Sequence, residues 1–379
     1  MKVLLIDKNL VDFSNYQKWD LLSKKAGVVL RGITPATWVE NARLVRFSDS
    51  FAKEFSVTPL PTVWKGKENR GFYLKGLSRE MRRFKPDIIV CFEEPFSFFA
   101  LQTTFLARLF ASKAKLVFYS WDNRAKGKDY GYRPAFVYGA IERGVMKRAD
   151  MLLTASEEGT NYFRSAYAAP VRKLYFGVNV DPPQRESYDA KSVFEGLPQG
   201  AFVVGYAGRL LHMKGVDLLI RSLPLLRSNA FLVILGSGPD EQRLRCIASE
   251  LSVESRVIFV PAVPSSQTKQ IISKFGVLVL PSRTTKVWKE QFGRVLVEGM
   301  SLGIPVIGSD SGAIPDVIGE AGLIFRENEH SSLAEMIARL MSDEKLNAEL
   351  ACKGKARAQE LSSARLADRM LVLLLELTS

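Results

Sequence analysis

Histidine and cysteine are scarce in this chain, and each scarcity excludes a class of site. Only two histidines occur, His212 and His330, and neither lies in the first half of the 379-residue sequence. The first half therefore has no histidine to serve as general base or metal ligand. The three cysteines, Cys91, Cys246 and Cys352, are odd in number and lack the short spacings of a zinc site. We expect three reduced thiols and a cytoplasmic location.

Long apolar runs are also missing. No run approaches the roughly 20 apolar residues that a membrane-spanning helix needs. The opening segment Met1–Ile6 is too short for a signal peptide and predicts a first β-strand. Internal repeats and low-complexity segments are absent as well. The composition, 47% hydrophobic and 25% charged, instead indicates a globular chain long enough for two cored domains.

The charge of the chain is unevenly distributed. The formal net charge is +13, and the first 150 residues hold 27 Lys and Arg against 15 Asp and Glu, or +12. A basic first half beside a nearly neutral second half predicts an anionic partner for the first half. No nucleic-acid-binding motif is present. We therefore favour an anionic membrane surface or an acidic acceptor, and expect no nucleic-acid partner.

Alternating strand and helix patterns indicate the fold class. In the first half the predicted strands are Lys2–Ile6, Val28–Ile33, Asp87–Cys91, Leu116–Tyr119, Met151–Thr154 and Arg172–Tyr175. In the second half they are Phe202–Ala207, Phe231–Leu235, Val257–Val260, Val277–Leu280 and Ile304–Ile307. Helical patterns separate many of them, which predicts an α/β fold of two doubly wound parallel sheets. A Pro pair at 182–183 predicts a linker, with the boundary near residue 180.

The segment 290–298 holds the strongest local signal. It places Glu290 and Glu298 eight positions apart, and we predict a helix from Gly293 to about Leu302. At 1.5 Å per residue the two carboxylates would lie roughly 12 Å apart, which suits opposite ends of a nucleotide-sugar. The free N–H groups at the helix start, from Gly293 to Val295, would bind a diphosphate.

This segment resembles the donor site of family-four retaining glycosyltransferases. The resemblance lies in Glu290-x7-Glu298 with Phe-Gly inside it, followed by Gly-Ile-Pro-Val at 303–306 and Ser-Asp-Ser-Gly at 309–312. It implies that Glu290 contacts the donor sugar and Glu298 the nucleotide ribose. Further donor contacts are expected from the residues between them, Gln291, Phe292, Gly293, Arg294 and Val295.

The resemblance also implies an architecture. It is the GT-B fold, in which two Rossmann-like domains face a cleft. Residues 1–180 would form the acceptor domain and residues 181–360 the donor domain. Residues 361–379 would form a C-terminal helix that packs back on the first domain.

A second element resembles the diphosphate-binding motif of the same family. Gly208-Arg209-x4-Lys214-Gly215 follows a predicted strand, and Arg209 and Lys214 would hold the donor diphosphate. Two cations at a strand end can stabilise a departing nucleoside diphosphate without a metal. No Asp-x-Asp pair occurs, and we expect no metal or other cofactor.

Two further places in the second half are expected to line the donor site. Gly236 and Gly238 would let the backbone pass near the nucleotide. Val260 and Pro261 lie where the family rests the nucleotide base against backbone.

The first half departs from the family pattern. Many members carry a His after the fourth predicted strand, where this chain has Trp121-Asp122-Asn123, similar to a subgroup with Trp-x-Asn. Asp122, which we include among the catalytic candidates, or Asn123 would hydrogen-bond the donor sugar or the acceptor. A loop-capping turn explains them equally well. Glu94, after the preceding strand, is a weaker candidate of the same kind.

The turn after the first strand also lacks the family's glycines, which makes close approach of the backbone harder. Lys8 and Ser14 remain there as candidates for contact with phosphate or acceptor.

The segment 71–85 has two interpretations. A helix there would place Phe72, Leu77, Met81 and Phe84 on one face and Lys75, Arg79, Arg82 and Arg83 on the others. One interpretation is a core-facing helix with a solvated basic face. The other is contact with anionic lipid headgroups, at about 1 kcal/mol for each Lys or Arg.

Taken together, these features predict a retaining hexosyltransferase. It would use a UDP- or GDP-sugar and a saccharide or lipid-linked acceptor, in cell-surface polysaccharide or glycolipid synthesis, in the cytoplasm or on the inner membrane face. One alternative is a nucleotide-sugar epimerase or phosphorylase on the same fold, and an epimerase would alter the donor without an acceptor. The other is a non-catalytic GT-B partner in a polysaccharide assembly complex, which would bind nucleotide weakly or not at all.

Overall fold

The chain divides into two compact units. The computed structural model describes residues 1–12, 15–40, 43–48, 54–67, 69–123, 134–183 and 190–378. Unit 1 consists of Met1–Gly177 together with Ser363–Ser379, and unit 2 is Val178–Ser362. The chain therefore leaves unit 1 close to the predicted linker and returns to it for the last segment.

Unit 1 is built on apolar strands. They are β1 (Lys2–Ile6), β2 (Val29–Pro35), β3 (Thr37–Glu40), β4 (Arg43–Arg46), β5 (Ser56–Leu60), β6 (Thr62–Val63), β7 (Phe72–Tyr73), β8 (Ile88–Cys91), β9 (Lys115–Ser120), β10 (Met151–Thr154) and β11 (Val171–Lys173). Seven of them form one sheet in the order β11-β10-β9-β8-β1-β2-β5, with all pairs parallel. β3 pairs antiparallel with β4, and β6 with β7. The central strands are buried along their whole length, as expected for a parallel sheet covered on both faces.

Helices connect the strands of unit 1. They are α1 (Gln17–Ser23), α2 (Leu77–Phe84), α3 (Phe98–Phe110), α4 (Ala135–Met146) and α5 (Glu157–Ala166). Side-chain caps fix two of the starts. Ser97 accepts a hydrogen bond from the N–H of Ala100 at 3.1 Å, and Ser156 accepts one from Gly159 at 3.2 Å. α2, α3 and α4 pack side by side on the sheet.

The prediction for segment 71–85 was wrong at its start. Phe72 and Tyr73 form β7, which pairs with β6, and α2 begins only at Leu77 after Gly76. Phe72 therefore does not share a helical face with Met81. The basic residues from Arg79 onward do lie on the helix and are exposed.

Unit 2 has a second parallel sheet. Its strands are β12 (Phe202–Ala207), β13 (Ala230–Leu235), β14 (Val257–Val260), β15 (Val277–Leu280), β16 (Val306–Ser309) and β17 (Leu323–Phe325), in the order β14-β13-β12-β15-β16-β17. Its helices are α6 (Val216–Ser222), α7 (Glu241–Glu250), α8 (Ser265–Ile272), α9 (Arg294–Ser301), α10 (Ile314–Ile318), α11 (His330–Ser342) and α12 (Glu344–Glu360). The order of the sheet reverses between β12 and β15, and ligands of such sheets bind at the carboxyl ends of the strands near that reversal.

The last helix, α13 (Ser363–Leu375), belongs to unit 1. It packs against α1, and Asp368 of α13 forms an ion pair with Lys25, which follows α1. The predicted return of the C-terminal helix to the first domain is therefore confirmed. Within the described ranges, no helix is both long enough and apolar enough to cross a membrane.

Candidate active site

A cavity of about 310 Å³ lies at the carboxyl ends of the strands of unit 2. It is lined by residues that follow β12, β13 and β14 and by the first turn of α9, namely Ala207, Gly208, Arg209, Leu235, Gly236, Ser237, Ala262, Val263, Thr268, Arg294, Val295 and Glu298. Five of the predicted donor-site residues are among them: Arg209, Gly236, Arg294, Val295 and Glu298. The cavity thus brings together parts of three predicted segments.

The loops after β12 and β13 pack closely against each other beside this cavity. A Cβ atom on Gly236 would lie 1.8 Å from the carbonyl oxygen of Gly208, and one on Gly238 would lie 2.2 Å from that of Leu210. Only glycine permits this approach at either position. Gly236 lines the cavity, whereas Gly238 packs under the Arg209 loop and is not among the lining residues.

Glu298 and its neighbours carry the charge of the cavity wall. Glu298 is partly exposed on α9. Burial raises the pKa of its carboxyl, and Arg294 and Lys269 oppose that effect. Lys269 lies on α8 and donates to the carbonyl oxygens of Asn179 and Asp181 at 2.8 and 2.7 Å. The Glu298 carboxyl is therefore partly dehydrated and interacts electrostatically with two cations.

Glu290 forms a separate cluster with Lys214. The Lys214 Nζ lies 2.6 Å from Glu290 Oε2, and Ser282 Oγ donates to the same oxygen at 2.7 Å. The Glu290 side chain is largely buried, and the Lys214 ammonium also lies 4.7 Å from the centre of the Trp288 ring. Lys214 follows β12 and Glu290 follows β15, which are neighbours in the sheet. Sheet order therefore joins two residues that are 76 positions apart.

Tyr206 links this cluster to the Arg209 loop. Its hydroxyl donates to the carbonyl oxygen of Arg209 at 2.8 Å. Burial, and next the negative charge of Glu290, raise the pKa of Tyr206 well above its ordinary value. The tyrosine is therefore a neutral donor that fixes the loop.

The predicted α9 begins where expected, but Glu290 lies outside it. Gly293 is the N-cap residue with φ +80°, and the helix runs from Arg294 to Ser301. Only Glu298 is helical, so the separation of 12 Å estimated from helical rise does not apply. Between them, Gln291 is exposed and Phe292 is buried.

Two predicted base contacts lie at the side of the cavity. Val260 is 8% exposed, and its carbonyl oxygen accepts the N–H of Gly236 at 2.9 Å. Pro261 is exposed. Neither lines the cavity, whereas the next two residues, Ala262 and Val263, do.

An ion-pair network supports the Lys214 loop. Arg283 Nη2 lies 2.7 Å from Asp217 Oδ2, and the backbone N–H of Arg283 donates to the carbonyl oxygen of Met213 at 2.8 Å. Arg243 approaches the other Asp217 oxygen at 3.4 Å. Burial would raise the pKa of Asp217, but its hydrogen bond and charge interaction with Arg283 and its interaction with Arg243 lower it overall. The network holds the loops after β12 and β15 together.

The predicted first-half residues meet at the carboxyl ends of the unit 1 strands. Glu94, which follows β8, accepts hydrogen bonds from Ser120 Oγ at 2.7 Å and from the Trp121 N–H at 2.8 Å. The Trp121 ring packs edge-on against Phe92 at 5.2 Å between centroids. Glu94 therefore orders the loop that contains the Trp-x-Asn segment.

Asp122 and Asn123 are almost completely buried, at 3% and 1% exposure. The Asp122 N–H donates to Ser120 Oγ at 3.2 Å. Burial agrees with the interpretation of a structural turn, and a role at the sugar stays a prediction. Ser14, the other candidate after the first strand, lies outside the described residues.

Lys8 forms a buried pair with a residue that sequence reasoning missed. Its Nζ lies 2.6 Å from Glu93 Oε2, and its backbone N–H donates to Glu93 Oε1 at 2.9 Å. Glu93 is 1% exposed, and burial raises its pKa to about 7 against the opposing charge of Lys8. Asp7 is also fully buried, and burial raises its pKa as well. Lys8 is thus engaged within the protein.

Other cavity residues also escaped the sequence analysis. Ser237 lies between the two predicted glycines, and its Oγ accepts the N–H of Ala262 at 3.2 Å. Thr268 lies on α8, in a segment with no motif. The Gly-Ser-Gly pattern could have indicated Ser237, whereas nothing indicated Thr268. Within the described part of the chain, no group of three His, Cys, Asp or Glu residues is arranged to hold a metal ion.

The backbone matches known structures over its whole length. Anabaena HepE in complex with UDP superposes with a TM-score of 0.73 over 99% of this chain and 100% of that one, at 17% identity. Together with the two parallel Rossmann-like sheets, this likeness defines the GT-B fold, as predicted.

A family model matches most of the second unit. Residues 187–357 match the model of the glycosyl transferases group 1 family. This match covers most of unit 2, and together with the GT-B fold it agrees with the glycosyltransferase resemblance of the sequence.

Two curated relatives match part of the chain. The D-inositol 3-phosphate glycosyltransferase of Acidothermus cellulolyticus is 34% identical over 41% of this chain and 36% of its own length. The GDP-mannose-dependent alpha-(1-6)-phosphatidylinositol monomannoside mannosyltransferase of Mycolicibacterium smegmatis is 27% identical over 60% of this chain and 63% of its own. Each match spans less than two thirds of the relative.

Proposed function

We propose that the chain transfers a hexose from a nucleoside-diphosphate sugar to a saccharide or lipid-linked acceptor, with retention at the anomeric carbon. The observation that carries this proposal is the 310 Å³ cavity of unit 2, where Arg209, Arg294 and Glu298 meet. Cations at strand ends suit a diphosphate, and a carboxylate suits the ribose hydroxyls. The volume lies at the lower end of the range of small-molecule sites.

Lys214 and Glu290 would act as a pair that the donor separates. In the present structure Lys214 is bonded to Glu290 Oε2 and only partly exposed. A diphosphate offers the ammonium a second anionic partner. Glu290, still held by Ser282, would then accept a hydrogen bond from a hydroxyl of the donor sugar. Arg209 would share the diphosphate with Lys214.

The proposed step needs no nucleophile from the protein. The bond between the sugar C1 and the phosphate oxygen breaks, and the acceptor hydroxyl oxygen bonds to C1 on the same face. The proton of that hydroxyl passes to the departing phosphate oxygen. Negative charge grows on the diphosphate as it leaves, and Arg209 and Lys214 would stabilise that charge. This is the retaining chemistry of family four, and it agrees with a first half that lacks histidine.

The remaining assignments concern the acceptor and the location. We assign the acceptor to unit 1, with Trp121, Asp122, Asn123, Glu94 and Lys8 near it. The Mycolicibacterium relative is named for a GDP-mannose donor and a phosphatidylinositol-linked acceptor, and HepE was crystallised with UDP. These names support a UDP- or GDP-sugar and a lipid-linked acceptor, in cell-surface polysaccharide or glycolipid synthesis. A cytoplasmic enzyme on the inner membrane face fits this proposal.

A donor-binding test separates the roles of Glu290 and Glu298. We expect UDP or GDP, added without metal at 100 times its dissociation constant, to stabilise the wild-type chain by about 2.7 kcal/mol in a thermal-shift assay. Glu290→Gln should keep this response and lose sugar transfer by roughly a hundredfold or more, because it loses an interaction with the reacting sugar. Glu298→Gln should weaken the nucleotide response itself.

Glu250→Gln, an exposed change on α7, is the matched control and should leave both readouts unchanged. Full turnover by Glu290→Gln would refute the assignment of that residue. A wild-type chain that responds to neither nucleotide would refute the donor site.

A further inference from the structure

α3 has one face packed on the sheet of unit 1 and a second apolar face turned to solvent. The inner face is formed by Phe99, Ala100, Thr103 and Ala107, all buried. On the opposite side Leu101, Phe105 and Leu109 are 41%, 61% and 55% exposed. Their spacing of four residues places them in one line about 12 Å long. We call these three residues the α3 stripe. The solvent side of a surface helix is normally polar.

Neighbouring aromatic residues widen this apolar surface. Trp64, 55% exposed, lies beside the start of α3, where its ring centroid is 6.1 Å from that of Phe98. Phe136 is 75% exposed on α4, which packs against α3. Single exposed apolar residues need no explanation, but a contiguous group of this kind indicates an interaction surface.

The exposed charged residues of α2, α3 and α4 have one sign of charge. On α2, α3 and α4, all of whose residues are described, the only carboxylates are Glu80 and Glu142. They are 9% and 0% exposed, Glu80 is paired with Arg31, and Glu142 accepts the hydroxyl of Tyr167. The exposed cations on these helices are Arg79, Arg82, Arg83, Arg108 and Arg143; just after the helix ends lie Lys85, Lys113, Lys147 and Arg148, together with one exposed carboxylate, Asp87.

Two of these arginines line a depression at the end of the stripe. Its volume is about 160 Å³, and both Arg108 and Arg148 line it. Asp150 lines it too, but its oxygens accept Lys115 Nζ at 3.1 Å and the Leu116 N–H at 2.8 Å. Two guanidinium groups at one small depression suit a phosphate oxygen.

We propose that the surface formed by α2, α3 and α4 binds an anionic phospholipid bilayer, with the α3 stripe entering the interface and the cations meeting the headgroups. Apolar residues on one face flanked by cations are typical of helices that lie in a membrane interface. Nucleic acid would meet the cations but leave Phe105 and Leu109 in water, so the combination favours lipid. The inference extends the membrane partner of the proposed function, and its test uses no sugar transfer, so either can fail alone.

The test is flotation of the full chain with vesicles. The vesicles are phosphatidylcholine alone and phosphatidylcholine with 30 mol% phosphatidylglycerol, each in 50 and 500 mM NaCl. We expect binding only to the anionic vesicles, with strong loss at 500 mM salt because screening weakens the headgroup attraction. Each Lys or Arg near the surface contributes about fivefold to partitioning. The charge variant R79E/R83E/R143E should therefore bind roughly a hundredfold more weakly or worse.

A second variant tests the apolar part. L101S/F105S/L109S should lower binding to anionic vesicles at 50 mM salt by at least tenfold. The matched controls make the same kinds of change at exposed positions of unit 2, as L225S/V287S and R227E/K274E/R326E, and should bind like the wild type. Melting temperatures and the nucleotide response of every variant report whether it is folded.

The fluorescence of an introduced tryptophan would report directly whether the α3 stripe enters the membrane interface. Phe105→Trp should show a blue-shifted fluorescence on addition of anionic vesicles, whereas Leu225→Trp should not. Equal binding to neutral vesicles, no binding of the wild type to anionic vesicles, or undiminished binding by either triple variant would overturn the proposal. Retention on RNA that R79E/R83E/R143E abolishes, without any vesicle binding, would assign the surface to nucleic acid instead.

Discussion

Replacement of Glu93 by glutamine should remove a large part of the pH dependence of unit 1 stability. Glu93 is 1% exposed, and both of its oxygens are bonded to Lys8. Burial is the main cause of its raised pKa of about 7, and Asp7 adds to it, whereas Lys8 opposes it. The glutamine of the variant would keep the shape of the side chain but could not titrate.

The magnitude follows from the difference between the folded and unfolded pKa. An unfolded Glu titrates near 4.5, so the native state keeps a proton that the unfolded chain releases between about pH 4.5 and 7. The stabilisation is fully present below pH 4.5 and is lost as the pH rises through 7. At 1.36 kcal/mol for each pH unit, this amounts to roughly 3 kcal/mol.

Urea unfolding at pH 5, 6, 7 and 8 measures the effect. Four of the five tryptophans, Trp19, Trp38, Trp64 and Trp121, lie in unit 1, so tryptophan fluorescence reports mainly on that unit. The wild type should lose about 2 kcal/mol more than Glu93→Gln between pH 5 and 7, because part of the titration lies outside that range. The comparison uses the change of unfolding free energy with pH rather than its absolute value, because Glu93→Gln leaves the Lys8 ammonium without its carboxylate partner.

Two further variants sharpen this experiment. Lys8→Met removes the charge that lowers the pKa of Glu93, so that pKa should rise further. The stability of this variant should therefore continue to decline above pH 7. Glu54→Gln changes an exposed carboxylate of unit 1 and should follow the wild-type profile. Parallel pH profiles for the wild type and Glu93→Gln would refute the reasoning. Because burial also raises the pKa of Asp7, the stability of every variant should keep some dependence on pH.

Two other substitutions test the loops of unit 2 by urea unfolding. Gly215 has φ +67°, and a Cβ atom there would lie 2.0 Å from the Pro281 carbonyl oxygen, so Gly215→Ala should cost more than the about 1–2 kcal/mol of a left-handed residue alone. Gly200 has φ +80° but open space around it, so Gly200→Ala is the matched control. Equal losses of unfolding free energy in the two variants would contradict the packing argument. Arg283→Met removes a 2.7 Å ion pair and should cost about 2 kcal/mol at pH 7. The lowered pKa of Asp217 stabilises the fold above pH 3.8, its unfolded value, and this stabilisation is lost as the pH falls through the folded pKa. The unfolding free energy of Arg283→Met should therefore fall less than that of the wild type below pH 4. An equal fall in both proteins would show that Arg283 does not lower the pKa of Asp217.

Most central strands were predictable from the sequence because they are continuous apolar runs. Lys2–Ile6, Met151–Thr154 and Phe202–Ala207 have the predicted bounds. The edge strand Ser56–Leu60 was missed because it contains Pro59 and alternates little, which only an edge position tolerates. The short strand β17, of three residues, was also missed. Pairing between strands, rather than helical propensity, decided the start of α2.

The individual site residues were more predictable than their partners. Motif spacing indicated Lys214, Glu290 and Glu298, because each has a recognisable local context. The contact of Lys214 with Glu290 depends on β12 lying next to β15, and that of Lys8 with Glu93 depends on β1 lying next to β8. Strand order is a property of the whole sheet, so local patterns do not contain it.

The interruption of unit 1 by unit 2 has a consequence for synthesis. Unit 2 is one continuous segment, and its ends are joined by a hydrogen bond of 2.9 Å from the Val178 N–H to the Leu361 carbonyl oxygen. Unit 1 lacks α13 until the segment after Ser362 has left the ribosome. During translation the surface of α1 that α13 covers stays open while the whole of unit 2 is made. Synthesis of unit 1 therefore begins before that of unit 2 and ends after it. The apolar surface of α1 that α13 will cover stays exposed in the nascent chain during that time.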